Sequence, residues 1–576
     1  MTPVNPFVDD IVTILSEAAQ LPAADVAELL AVPPDDTMGD YALPCFTLAK
    51  VLRKNPAQIA TDIAAAAVAA IDAAPRLAGV QAAGGYVNVR LDKAAFIGWV
   101  LDAIREQGDA FGSQDQGQGR TAAIDFSSPN LARPFSIAHL RSTAIGHAIY
   151  RIHAFLGYRC VGINHYGDYG ANFGQLLAAY QLWGDEQQVA ANPVPELLAL
   201  YVRFNDEVEK NPDLRVESRS RQKRLADGDA EMMSLWESFV DAGRKEAERI
   251  YGILGVHFDE YKGESAFADD LDDVIALFEK AGLAEESDGA LVVRLHNEDG
   301  EEIAPCMLRT SNGTSTYHSR DIAALLYRKS QHQFDKMVYV TDSRQMLHFR
   351  QIFQALASAG IDWIDLCEHA PFGMMSFKGQ ALSTRKGRMV ILEDVLDQAI
   401  ELTRAIIAEK NPDLADADRV AREIGISAVV YADVSNRRTR DISFSLEEVL
   451  NFDGETGPYL QYTHARYCSI LRRHGEAVDL QADTTTLYEP AEMRVAQSLG
   501  SFPGVLARAE SDNEPSYVAT YLIELATQAN KLYNEVPVLI AEDPAVKVAR
   551  IRLIDAVRRV LRTGMTLLGM SCPEEM

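Results

Sequence analysis

Apolar positions along this chain fall into three regimes. Residues 1 to about 112 carry Ala-rich stretches of helical period and one strand-like run, GGYVNVRL at 84–91. From 113 to about 412, short apolar runs such as Thr121 to Phe126 alternate with segments of helical period, the pattern of a doubly wound parallel sheet. Inside that region, roughly 183–250 is polar and charge-mixed, with VESRSRQKR at 216–224, and reads as a helical insertion. From 413 to 576 long helical periods dominate and strand signals are few, which predicts an all-α bundle. The expected fold is therefore α/β in the centre, α+β before it and all-α after it, with no internal repeat.

The central region holds the first chemical signal. Thr121 to Phe126 is followed by SSPNLARPFSIAHLRST at 127–143, and Leu140, Ala144, Ile145, Ile149, Ile152 and Leu156 then recur at the spacing of an amphipathic helix. Pro129 and Pro134 stop both periods, which pins a loop at the helix N-terminus. Backbone N–H groups and the helix dipole suit phosphate there, and His139 stands where it can donate to a phosphoryl oxygen. A loop that merely joins strand to helix would look the same. The second signal, the Ser/Thr/Arg/Lys loop ALSTRKGRMV at 381–390, changes that reading. Together the two segments predict a split nucleoside triphosphate site beyond the sheet's C-terminal edge, at a switch point.

Composition narrows the classes. At 576 residues the chain exceeds one core. No apolar run approaches membrane-spanning length, and MTPVNPFVDDIVTIL carries acids where a secretory signal carries bases, so a cytoplasmic protein is expected. The six cysteines are dispersed without a CxxC, which argues against structural zinc or a disulfide framework. A net charge of −28 argues against indiscriminate nucleic-acid coating but leaves room for local basic tracks, NRRTR at 436–440 and ARIRLIDAVRRVLRTG at 549–564.

The two loops resemble the HIGH and KMSKS signatures of class I aminoacyl-tRNA synthetases. The segments MGDYALPCFTLAKVLRKNP (38–56), INHYGDYGANFG (163–174), FDEYKGES (258–265), STYHSRDIA (315–323), YVTDSRQMLHF (339–349) and NFDGETGPYLQYTHAR (451–466) narrow the resemblance to the arginyl-tRNA synthetase family. That resemblance implies a Rossmann-like catalytic domain at 113–412, an additional tRNA-contacting domain at 1–112 and an anticodon-binding bundle at 413–576. It implies ligation of L-arginine to tRNA(Arg) through an arginyl-adenylate, with ATP as substrate, Mg2+ sharing its charge and tRNA required for activation; the sequence itself requires no more than a monomer and shows no Cys/His metal cluster. The basic tracks would then contact phosphate.

The sequence departs from both signatures. It reads Ser136-Ile137-Ala138-His139 in the first, without the leading histidine and the glycine, and Ala381 to Arg385 in the second, without either lysine. A weaker ATP affinity is expected. Ser136, His139, Ser383, Arg385 and Lys386 are the implied catalytic contacts, with Pro129, Arg133, Ile137, Ala138 and Thr384 holding ATP and Lys378 as a supplementary cation.

An arginine pocket must satisfy a planar cation with five donors, through carboxylates set edge-on and an aromatic face. Tyr317 and Asp321 lie four apart, on one face if helical. The resemblance places Asp321 against the guanidinium, Tyr317 across its plane and Glu264 as a second acid, with Asn130, Asn164 and Gln345 on the substrate's backbone groups. It offers Tyr459, Tyr462, Tyr533 and Met576 as anticodon contacts by stacking, although tyrosines three apart on a helix also suit a core. A class I enzyme for cysteine or lysine would explain the loops but not the acidic pocket. A catalytically inactive paralogue that binds tRNA would explain only the altered signatures.

Overall fold

The computed structural model describes residues 5–33, 38–133, 135–297, 299–311, 313–377, 380–381 and 390–576. Ser383, Thr384, Arg385, Lys386 and the supplementary Lys378 lie outside the described residues. The chain divides into two compact units. One comprises Met1–Gln114, Arg466–Val505 and Ile523–Thr563, the other Asp115–Ala465, Leu506–Leu522 and Gly564–Met576.

In the first unit, the expected strand is Tyr86–Leu91, the centre of a three-stranded antiparallel sheet with Tyr41–Pro44 and Leu77–Ala83. Helices Pro6–Ala19 and Pro56–Ala69 each begin with proline behind an asparagine cap. Asn5 accepts from the Phe7 N–H at 3.1 Å and Asn55 from Ala57 at 2.9 Å. The basic track at 549–564 lies in helix Pro544–Leu567, and there the structure corrects the sequence reading. Arg550 and Arg552 are buried and pair with Glu492 (2.7 Å) and Asp102 (2.6 Å), while Arg558 and Arg559 both close on Asp555. A buried guanidinium needs a carboxylate near it, so Arg550 and Arg552 tie this helix to its neighbours, while Arg558 and Arg559 pair within their own helix.

The second unit is built on a five-stranded, all-parallel sheet in the order Cys367–His369, Lys336–Tyr339, Thr121–Asp125, Arg159–Asn164, Glu260–Tyr261. Successive connections run one way from Thr121–Asp125 and then the other, so the switch point falls between that strand and Lys336–Tyr339. Helix Ile137–Phe155 packs on the sheet and is buried almost all round, not amphipathic: Arg141, Ser142, Thr143, His147 and His153 are buried beside the apolar stripe. Contact is close enough that a Cβ on Gly146 would clash with the Phe126 side chain.

Four helices, Glu186–Ala191, Pro193–Lys210, Leu214–Ala226 and Ala230–Leu254, occupy the polar stretch that the sequence assigns to an insertion. After Asp416 the described elements are helices apart from the short strand Ile442–Phe444. The NRRTR track is also committed within this unit: Arg437 donates to the Tyr517 hydroxyl (2.8 Å) and Arg438 to the Pro371 carbonyl (2.8 Å). Among the described residues no helix is long and apolar enough to cross a membrane.

Candidate active site

A cleft of about 700 Å³ opens at the switch point, lined from both sides by the ends of the central strands. Asp125 closes strand Thr121–Asp125, and the chain turns sharply beyond it. Ser127 (φ 67°) and Ser128 (φ 45°) adopt the left-handed backbone that side chains disfavour. Hydrogen bonds hold that conformation: the Ser127 N–H donates to Ser142 Oγ (2.9 Å), Ser127 Oγ pairs with Tyr251 Oη (2.8 Å), and Ser128 Oγ donates to Asp125 (2.8 Å). Strain of this kind costs about 1–3 kcal/mol per residue and collects where function fixes the backbone.

The loop delivers Ser136 as the N-cap of helix Ile137–Phe155. Its N–H donates to His139 Nδ1 at 3.0 Å. An amide nitrogen can only donate, so Nδ1 is bare and the imidazole proton sits on Nε2. Burial, reinforced by Arg133, pushes the His139 imidazole down to about 4. His139 therefore faces the cleft as a neutral donor. Ala138 is exposed there, whereas Ile137 is fully buried and contributes its N–H, which donates to the Val390 carbonyl at 3.0 Å. Leu392 N–H donates back to the Phe135 carbonyl. The far end of the second signature segment is thus paired to the first. Arg133 donates to Asn172 (3.0 Å) and lies over the Tyr201 ring, and Pro129 lines a smaller cavity on the loop's other face.

The other end of the cleft is acidic. Thr316 caps helix Tyr317–His332, which sets Tyr317 and Asp321 on one face as the spacing requires. Tyr317 is 58% exposed, and the Arg320 guanidinium lies 4.9 Å from its ring centre while reaching Glu264 at 3.3 Å. Both Asp321 oxygens meet imidazoles, Oδ2 to His348 Nε2 at 2.5 Å and Oδ1 to His165 Nε2 at 3.5 Å. Burial would raise the Asp321 carboxyl, yet these two histidines hold it far below the carboxylate range. Glu264 meets the Arg320 guanidinium instead. Burial pushes it up to about 7 against the pull of Arg320.

Of the residues named from the sequence, Asn130, Arg133, Ser136, Ala138, His139, Glu264, Tyr317, Asp321 and Gln345 line this one cleft. Asn164 does not. It is fully buried, and its Nδ2 donates to Tyr251 Oη (2.9 Å) below the cleft floor. Tyr462 and Tyr533 are 43% and 42% exposed, and Arg466 lies over the Tyr533 ring. Tyr459 is half-buried. Met576 packs against Ile407, Val420, Ala421 and Ile424, and its carbonyl accepts from Asn411.

Sequence reasoning missed three features. His165 and His348 sit inside quoted segments, but nothing in their spacing says that both reach Asp321. Arg141, fully buried, donates to Asp433 (2.9 Å) and to the carbonyls of Gly373 and Arg440 (2.9 Å each), which ties the signature helix to the cleft's rear wall. It was hidden because a charged residue on a helix reads as a solvent face.

This geometry, a parallel sheet with a nucleotide-suited helix N-terminus opposite an acidic pocket at the switch point, is that of a class I aminoacyl-tRNA synthetase. The family model "tRNA synthetases class I (R), catalytic domain" matches residues 101–446, flanked by "Arginyl tRNA synthetase N terminal domain" at 7–91 and "DALR anticodon binding domain" at 460–576. The chain belongs to the arginyl-tRNA synthetase family. It is 42% identical to the arginine--tRNA ligase of Alkaliphilus metalliredigens, covering 96% of each chain, and 43% identical to that of Clostridium perfringens, covering 98% of each. The arginyl-tRNA synthetase structure from Thermus thermophilus matches with a TM-score of 0.78 at 26% identity, covering 99% of this chain and 100% of that one. The Plasmodium falciparum enzyme shares the fold, with a TM-score of 0.80 at 22% identity over 99% of both chains.

Proposed function

We propose that this chain is an arginine--tRNA ligase that forms arginyl-adenylate in the cleft and passes the arginyl group to tRNA(Arg). The observation that carries this reading is the pairing, within one cleft, of an ionised Asp321 beside Glu264 and Tyr317 with the neutral donor His139 at a helix N-terminus.

Asp321 would take the guanidinium fork, Glu264 a second edge, and Tyr317 the plane. Asn130 and Gln345 would hold the backbone groups of the substrate. Asn164 would act only through Tyr251 and the cleft floor. The arginine carboxylate then attacks the α-phosphorus of ATP, a P–O bond forms, and the bond to pyrophosphate breaks. Next, a ribose hydroxyl of the terminal tRNA adenosine attacks the acyl carbon and AMP leaves.

Positioning and charge stabilisation carry most of such catalysis. His139 Nε2–H with Ser136 would steady the phosphates from the helix side, with the Ala138 and Ile137 backbone beside adenine. Arg133 and Pro129 would shape the loop, and Ser383, Thr384, Arg385 and Lys386 would stabilise the departing pyrophosphate. Mg2+ would be held largely by the triphosphate oxygens and share their charge.

Residues 1–112 would contact tRNA outside the acceptor end, and 413–576 would read the anticodon, with Tyr459, Tyr462 and Tyr533 as stacking candidates. Met576 is a further candidate anticodon contact. We place the enzyme in the cytoplasm as a monomer.

The test is arginine-dependent ATP–pyrophosphate exchange with and without tRNA(Arg), lysine serving as control. Exchange with arginine only, and only when tRNA is added, is expected. Exchange without tRNA keeps the ligase and removes the tRNA requirement. None under any condition, with tRNA still bound, would mark an inactive paralogue.

A further inference from the structure

The contact between His165 and Asp321 imposes a constraint that the ligase reading does not include. His165 follows strand Arg159–Asn164, and its side chain is only 10% exposed. Its backbone N–H donates to Ser128 Oγ (3.1 Å), and its Nδ1 lies 3.0 Å from the Lys262 carbonyl oxygen. A carbonyl can only accept, so Nδ1 carries a proton. The other nitrogen, Nε2, is buried, has no hydrogen-bond partner among the described residues, and points at Asp321 Oδ1 from 3.5 Å. The Asp321 carboxyl is held far below the carboxylate range, and its second oxygen lies 2.5 Å from His348 Nε2. A neutral His165 would therefore aim a lone pair at a carboxylate. A doubly protonated ring removes that repulsion and supplies the counter-charge.

Resting on the placement of the substrate guanidinium against Asp321, we propose that His165 is a specificity-determining residue whose imidazolium holds the Asp321 carboxylate until arginine replaces it, so that arginine binding releases one proton from His165. The fork of the guanidinium supplies two N–H groups to the carboxylate. Once it does so, the counter-charge is redundant, and a bare Nε2 can accept a further guanidinium N–H. The proton leaves to solvent. An uncharged side chain cannot make the exchange, and an ammonium offers a point charge where a fork is needed.

Charged groups on every side of the ring enter this balance. Burial opposes the cation, and so does Arg328, which is itself paired to Asp125 at 2.8 Å; the Asp321 contact, followed by Asp125, favours it. The net direction for His165 is upward. Glu264 faces the same space and also adds negative charge when ionised. The Lys262 ammonium turns away, over the Tyr327 ring at 3.4 Å.

The experiment is calorimetric titration of the full chain with L-arginine, in phosphate and in Tris, between about pH 5.5 and 8.5. Buffer-dependent heat reports protons released per arginine. About one proton is expected below the His165 transition, with affinity falling about tenfold per pH unit on the acid side. His165→Asn should abolish the release, and Glu264→Gln should retain most of it. Release that survives in His165→Asn and vanishes in Glu264→Gln would overturn the assignment, as would binding that moves no proton.

Imidazole 15N spectra of the unaltered protein give an answer that does not depend on how the variants fold. His165 should change from doubly to singly protonated on arginine addition; a ring singly protonated throughout would refute the proposal. Absence of arginine binding at every pH would instead remove the pocket reading itself.

Discussion

Two histidines line the same cleft and are driven in opposite directions. His139, at the signature helix, is buried near Arg133 and is pushed down to about 4, so it meets phosphate as a neutral donor. His165, at the acidic end, is buried too, yet Asp321 and Asp125 together overcome that cost and Arg328, and the net shift is upward. Burial acts on both with one sign; at His139 Arg133 adds to it, whereas at His165 the neighbouring carboxylates together overcome it. The cleft thereby separates its tasks, offering neutral donors where a polyanion arrives and matched opposite charges where a cation must be selected.

Asp321→Ala should break this comparison most completely. Removing one member of a desolvated charge pair costs about 2–5 kcal/mol, so kcat/KM for arginine should fall by about thirtyfold to several thousandfold. His165 should then titrate below its ordinary range, as His139 does. Near-normal pyrophosphate exchange in this variant would take Asp321 out of the pocket.

Glu264→Gln sharpens the comparison at the acidic end. Glu264 is raised to about 7 by burial, with Arg320 opposing. The folded state therefore holds a proton that the unfolded chain has lost. That stability is present in full below the unfolded carboxyl range and is lost as pH rises through about 7. The variant should melt near the unaltered protein at pH 5 and above it at pH 8, by up to about 3 kcal/mol, while KM for arginine rises. Equal melting at both values would show that Arg320 keeps the carboxylate ionised.

Much of this was legible from residues alone. The run from Thr121 to Phe126, its prolines and the helical period from Leu140 announced a strand, a pinned loop and a helix, and the spacing of Tyr317 and Asp321 put both on one helix face. What escaped was long-range pairing. Arg550 and Arg552 looked like a polyanion track because nothing local betrays Glu492 or Asp102 as partners. Arg141 reads as a solvent position until the carbonyls of Gly373 and Arg440 are found beside it. Asn164 ends a strand, and which way its amide turns depends on Tyr251, a residue of helix Ala230–Leu254 within the insertion.

The finest test lies at the signature end, where two causes hold His139 neutral. Arg133→Met removes the lesser one. Burial is the larger cause, so the His139 titration followed by NMR should rise but stay below that of an exposed histidine. The Ser136 N–H would still donate to Nδ1, keeping the proton on Nε2. If His139 instead returned to ordinary behaviour, the arginine rather than burial would set its charge. The two ends of the cleft would then obey one rule, each histidine following its nearest ionic neighbour.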